Sequence, residues 1–346
     1  MRAARLADRV VGIGALVLAL AAPLYLSSYW VGTLLTQMLF LGIVAASLIF
    51  LSAYGGMVSL AQVAIYGIAG FVVGNATTNG NTKGLNLGWN PWWGAIAGIA
   101  IAVAVALLFG ALASRSVGIY FLMITLTYSV ITNLTFGQVT DVSGFGGISG
   151  IPAPHAIGSV DAHRQRLYYV TLGVALVIYL MLRYVARTPF GLTLQGVRDD
   201  PVRMASLGYN VILHRTIAFA FAGFVAAVGG VLFVWWNGHI DPASIDLGST
   251  IDVLVIAVVG GLYRLEGAWV GALFFVIVNN YSQQISFIGP RFHTLIGAIF
   301  LLIVLASPGG LVGLWERLVT FVFGRRRGPT DRDRNPIEVG QVEPSV

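Results

Sequence analysis

The chain has 346 residues, of which 57% are apolar and 10% charged, with a formal net charge of +6 and no cysteine. A soluble domain carries roughly 25% charged residues, so a core of this length cannot hide that much apolar surface and lipid must serve as the second solvent. The missing cysteines exclude a disulfide scaffold and thiol chemistry. The basic charges fall between long apolar runs rather than in one patch, which argues for a membrane and against nucleic acid as partner.

Apolar runs of roughly 20 residues mark membrane spans. Ten are predicted, at 10–26, 31–51, 57–74, 92–113, 117–136, 167–186, 216–236, 250–262, 268–285 and 294–314. The expected fold is therefore an all-α polytopic membrane protein, with a permease domain over 1–323 and a polar, disordered tail over 324–346. Arg2, Arg5 and Arg9 before an apolar run ending in Ala19-Leu20-Ala21 resemble a signal peptide. That run continues to Leu26, long enough to span, so the first helix is expected to be retained. An even number of spans puts both termini on one side. With the termini cytoplasmic, the inner segments hold sixteen of the twenty basic residues, and only Lys83, Arg164, Arg166 and Arg291 lie outside. A bacterial inner membrane with both termini inside is the expected location.

The third span enters through Gly55 and Gly56 and is interrupted again by Gly67 and Gly70, so it is expected to be a broken helix. Ser59, Gln62 and Tyr66 follow at spacings of three and four, which share a helix face. Such a polar strip beside irregular backbone suits a solute path through the bilayer. It equally suits hydrogen-bonded glue between packed helices, and the residues alone leave the two readings open. Further on, the glycine-rich outer segment 137–166 suits either a docking surface for an external partner or a disordered linker.

The longest inner segment, 187–215, contains Asp200 as a helix cap and Pro201 at the first helical position. Gly208 closes the element. The predicted short helix over 201–207 exposes Arg203, Met204, Ala205 and Leu207 to a soluble partner or to the lipid surface. Between spans eight and nine, Gly260-Gly261 and Gly267 allow a tight turn whose charges are Arg264 and Glu266. Its Gly-Gly followed by a small-residue helix echoes Gly55-Gly56 and Gly67, as an internal repeat would. The Arg325-Arg326-Arg327 cluster in the tail suits a stop-transfer anchor on anionic lipid.

No span carries a charge near its middle, and Asp252 sits close to the outer end of the eighth. Proton relays and voltage sensors require such groups at depth, although a sodium-coupled carrier can manage with carbonyls and hydroxyls. The only lysine, Lys83, lies outside any Gly-x-x-x-x-Gly-Lys-Ser/Thr loop, so this chain has no nucleotide engine of its own. His155, His163, His214, His239 and His293 are scattered without metal-ligand spacing, and no nucleophile–base constellation appears. No catalytic residue, metal or cofactor is expected on the chain.

Taken in order, several pieces resemble the LivM-type permeases of branched-chain amino-acid ABC importers, over most of the chain from the second span to Trp315. They are Gly55-Gly56 with Ser59-Leu60-Ala61-Gln62, Gly118-Ile119-Tyr120-Phe121, Gly147 to Pro152, Thr188-Pro189-Phe190-Gly191 with Ala205 and Gly208, Val258 to Gly261, and Ser307 to Leu311. The resemblance implies that the helix around 201–207 is a coupling helix seated on an ATPase. It also implies a second permease of similar fold, two ATPase subunits carrying ATP and Mg, and an extracytoplasmic solute-binding protein. The turn Tyr263-Arg264-Leu265-Glu266 departs from the family's usual Gly-Ser-Leu-Trp, and the family also serves urea, amides and other small solutes. A branched-chain amino acid or another small solute is therefore the expected cargo, with a secondary transporter or channel as the alternative.

Overall fold

The computed structural model describes residues 29–79, 84–154, 157 and 164–284, with scattered positions within 14–27 and 294–313. A π-helical stretch, Trp30–Leu35, leads into α1 (Thr36–Gly55). The Gly32 carbonyl in that stretch accepts a hydrogen bond from Trp236 Nε1 at 2.8 Å. Gly56 ends α1 with φ of 65°, a left-handed conformation that glycine adopts without penalty. After an irregular segment come α2 (Gln62–Thr77), α3 (Pro91–Ala113) and α4 (Ile119–Gln138). Strand β1 (Ile148–Ser149) precedes α5 (Arg164–Val185). Two short helices, α6 (Pro189–Asp199) and α7 (Pro201–Ser206), lead to α8 (Val211–Asn237). Strand β2 (His239–Ile240), a 3-10 turn (Pro242–Ile245), α9 (Leu247–Gly260) and α10 (Gly267–Gln284) follow.

Five helical segments among the described residues are long and apolar enough to cross a membrane: Trp30–Gly55, α3, α4, Gln165–Val185 and α8. Helices α2, α9 and α10 are shorter and apolar, and lie where the third, eighth and ninth spans are predicted. The first and tenth predicted spans lie largely, and the tail wholly, outside the described residues.

Burial sorts the helices into two layers. The apolar windows of Trp30–Gly55 and α8 are 78% and 72% buried, whereas those of α3, α4 and Gln165–Val185 are 28%, 22% and 28% buried. The inner pair and α2 therefore form a protein core, and the other three present Leu108, Tyr120 and Val177 outward as lipid-facing side chains do. Every residue of α2 except Val72 is buried. At about 24 Å for 16 residues, α2 is shorter than the roughly 30 Å hydrocarbon layer. Because protein encloses it, its ends need not reach the lipid headgroups.

Glycine makes this enclosure work. A Cβ at Gly230 of α8 would overlap the Tyr66 carbonyl of α2, so only a hydrogen at that position lets the two backbones meet. Gly67 and Gly70 do not break the third span as expected. They lie inside a continuous helix and leave room for Ile245 and for Ile240 with Val234. The irregular backbone is confined to the segment between Gly56 and Ala61.

The described part of the glycine-rich segment after α4 is tied into the fold. Ile148 pairs antiparallel with Ile240 and Ser149 with His239, and Ile148 and Ile151 are buried. Arg164 and Arg166, read from sequence as loop residues, belong to the first turn of α5. Ile148 and Ile151 lie beside Gly74 near the end of α2, and β2 directly follows α8, so this strand pair marks one end of the bundle. The other end gathers Arg115, Arg183, Arg187, Arg198, Arg203, Arg215 and Arg264.

Candidate functional site

The strip Ser59, Gln62 and Tyr66 divides between two environments. Ser59 is fully buried, and its Oγ accepts from the Ala61 amide at 3.3 Å in the turn that starts α2. Gln62 is 1% exposed, and its Oε1 accepts from Ser47 Oγ of α1 at 3.3 Å. Gln62 Nε2 has no hydrogen-bond partner among the described residues. A buried donor left in that state costs roughly 1–3 kcal/mol. Gly55 is buried at the end of α1, while the exposed Gly56 lies against the aliphatic part of Arg198. Of the three strip residues, Tyr66 alone reaches the interior cleft.

That cleft measures about 240 Å³ and lies between α1, α2, α8, α9 and α10. Its polar groups are Gln37, Ser244, Ser249, Asp252 and Asn279, joined by the Tyr66 side chain. Phe40, Leu41, Val44, Phe233 and Phe275 form apolar walls. The lining thus combines a few convergent polar groups with aromatic and aliphatic surface, the usual makeup of a small-molecule site. Its volume falls below the roughly 300–1,000 Å³ range of pockets for drug-sized ligands, which suits a small solute. Asp252 supplies a carboxylate for a cationic group, and Gln37 and Asn279 supply both donors and acceptors.

Gln37 and Asn279 are absent from the residues that the sequence singles out, and Asp252 enters there only as a charge near the end of the eighth predicted span and not as a site residue. The three sit on different apolar helices, and only the packing of α1, α9 and α10 brings them together. The available signal was the cost of placing such groups in a membrane segment, which makes each one a site candidate by default.

At the basic end, the predicted short helix is present as α7. Asp200 caps it by accepting from the Arg203 amide at 2.9 Å, Pro201 occupies the first position, and Gly208 has φ of 88°. None of its residues is buried. Arg203, Ala205, Leu207 and Gly208 face outward, while Met204 is half-buried with its sulfur close to Gly196.

The sequence reading missed α6, which carries α7. Thr188 caps α6 by accepting from the Gly191 amide at 3.4 Å, with Pro189 at its first position. This is the same cap-and-proline signature that identified α7, and it was legible at Thr188-Pro189. Leu194 and Val197 anchor α6 in the core. Arg198 closes the bracket: its Nη1 donates to the Ala53 carbonyl near the end of α1, and its Nη2 lies 2.7 Å from Asp199 Oδ1. A rigid arm therefore joins the exposed α7 to the helix that lines the cleft.

No group of His, Asp or Glu among the described residues is arranged to hold a metal ion. A family model described as branched-chain amino acid transport system / permease component matches residues 30–305. The chain is similar to the high-affinity branched-chain amino acid transport system permease protein LivM of Salmonella typhimurium, at 22% identity over 62% of this chain and 55% of that protein. It is 23% identical to LivM of Escherichia coli strain K12 over the same shares. The probable branched-chain amino acid transport permease protein LivH of Methanocaldococcus jannaschii is 27% identical over 44% of this chain and 50% of that protein. The chain thus spans about half the length of the curated relatives it matches. No solved structure matches. With the match covering most of its length, this multi-pass, mainly helical chain belongs to the branched-chain amino acid transport permease family.

Proposed function

We propose that the chain is the membrane-spanning permease subunit of an ATP-binding-cassette importer and that it passes a branched-chain amino acid or a similar small solute. The observation that carries this reading is α7, a helix capped at its start by Asp200 and closed by Gly208, yet with no buried residue of its own. An isolated six-residue helix is marginal in water, so a surface of this kind gains most by seating in a partner. Arg198 ties its support to α1, and α1 lines the cleft. Movement of a nucleotide-driven partner against α7 would therefore reach the solute path as a rigid-body shift.

In this reading Asp200, Pro201, Arg203, Met204, Ala205, Leu207 and Gly208 form the coupling surface. The partners are two ATPase subunits that bind ATP and Mg, a second permease of similar fold and an extracytoplasmic solute-binding protein. The chain performs no catalysis itself. The basic end faces the cytoplasm, following the bias of arginine toward that side, and with an even number of spans both termini lie on the cytoplasmic side of the inner membrane. Residues 1–323 form the permease domain with its coupling segment at 187–215, and 324–346 form a polar tail. Within the cleft, Asp252 pairs with the ammonium group of an amino acid and Phe40, Leu41 and Phe275 receive its side chain. Gln62 and Ser59 support the path from behind Tyr66.

The test is uptake by proteoliposomes holding the complete transporter. Ala205→Glu is expected to abolish ATP-driven uptake while the protein still inserts and folds. Normal uptake in that variant would remove the coupling assignment. A second reading, an ion-coupled carrier, draws on Asp252 in the cleft. It predicts uptake by this chain alone under an ion gradient, without a nucleotide-hydrolysing partner.

A further inference from the structure

The basic end holds a second concavity that the transport reading leaves unused. It measures about 550 Å³ and is bounded by α5, α6, the end of α1 and the turn between α9 and α10. Arg183, Arg187 and Arg264 line it together with one carboxylate, Glu266, and the hydroxyl-bearing Tyr54 and Tyr263. Three guanidinium groups against one carboxylate leave it net cationic. Glu266 is already engaged, since its Oε1 accepts from Tyr179 at 2.7 Å and lies 3.8 Å from Arg183 Nη1. Arg183 Nη1 also donates to the Tyr179 hydroxyl at 2.7 Å, which fixes the position of its guanidinium. Arg187 makes no side-chain hydrogen bond or ion pair to a described residue. A concave site with several planar guanidinium donors and a surplus of positive charge matches a phosphate oxyanion.

The surface next to the pocket narrows the choice of ligand. Leu180 and Tyr184 of α5 are four residues apart and share one side of the helix, and Arg187 follows in the turn directly after it, its amide donating to the Tyr184 carbonyl at 2.9 Å. Val177, Leu180 and Tyr184 are 63%, 55% and 72% exposed. An apolar stripe thus runs from Arg187 along a helix long and apolar enough to cross the membrane. A free phosphate would use the pocket and leave this stripe idle. A diacyl phospholipid would use both, with its phosphate among the arginines and its chains along α5.

We propose that this pocket binds the headgroup of an anionic phospholipid from the leaflet at the basic end. Basic pockets between membrane helices commonly act in this way. The inference needs only that α5 crosses a bilayer, so it stands apart from the coupling role of α7.

The experiment uses full-length protein, purified in detergent and stripped of lipid, and follows thermal unfolding. Phosphatidylglycerol in mixed micelles is expected to raise the midpoint in a saturable manner, because a ligand of the folded state stabilises it by mass action. Phosphatidylcholine is expected to leave the midpoint unmoved, and inorganic phosphate, which fills the pocket without the stripe, to raise it much less than phosphatidylglycerol. Arg187→Gln should weaken the apparent affinity roughly fivefold and Arg183→Gln with Arg187→Gln roughly 25-fold, about fivefold for each arginine lost. Arg115→Gln, at the same end but outside the pocket, should keep the full response. If the double variant fails to fold, Arg187→Gln decides the matter alone, since its side chain has no described partner to lose. No shift with phosphatidylglycerol, an equal shift with inorganic phosphate, or an undiminished response in Arg187→Gln would each overturn the proposal.

Discussion

Helices α2 and α7 are stabilised in opposite ways. Helix α2 begins at Ala61 without a side-chain cap, and all of it but Val72 is buried. Helix α7 has an aspartate cap, a proline at its first position and a closing glycine, and buries nothing. In α2 the neighbours α1, α3 and α8 supply the stability, and local sequence contributes little beyond apolar character. In α7 local sequence supplies the shape, and the apolar surface that would normally reward a helix is left to be covered from outside. The contrast separates a helix built by its own fold from one shaped in advance for a partner.

The largest effect is expected where α2 touches α8. Gly230→Leu would drive a side chain into the Tyr66 carbonyl, which cannot swing away as a side chain can. Overpacking of cores costs about 1–3 kcal/mol, and a backbone obstacle places this site at or above the upper end. Loss of monodisperse protein on size-exclusion chromatography is the expected outcome. Gly173→Leu on α5, where nothing lies within 4 Å of the added carbon, should leave the profile unchanged.

On α7 the effects should reverse, with function lost and stability kept. Ala205 is exposed, so Ala205→Glu should shift unfolding by no more than about 0.5 kcal/mol while uptake disappears. A destabilised variant would mean that α7 packs on its own fold more than its exposure indicates. Asp200→Ala should fall between, costing about 1 kcal/mol as lost caps do and reducing coupled ATP hydrolysis without abolishing insertion.

Two smaller effects probe the cleft and the helix behind it. Asp252→Asn keeps the shape and removes the charge, so solute affinity should fall about tenfold, equivalent to roughly 1.4 kcal/mol, in uptake titrations. An unchanged KM would remove Asp252 from the solute path. Gln62→Leu discards the buried Nε2 that has no described partner, and stability is expected to hold or rise by about 1 kcal/mol. If solute affinity also stays constant, Gln62 belongs to packing; a change assigns it to the path.

Sequence by itself determined what neighbouring residues encode. Apolar runs marked the five helical segments that are long and apolar enough to cross a membrane, and Asp200-Pro201 with Gly208 marked α7, because hydropathy and capping act along neighbouring residues. The same local rule, applied to Thr188-Pro189, would have given α6. Only the tertiary structure decided which apolar helices are enclosed and which meet lipid, since α2 and α3 read alike as apolar runs but differ in what surrounds them. It also decided the cleft, the Arg198 bracket on Ala53 and the close approach of Gly230 to Tyr66. These join residues more than a hundred positions apart, and no periodicity along the chain records which distant backbone a glycine lets in.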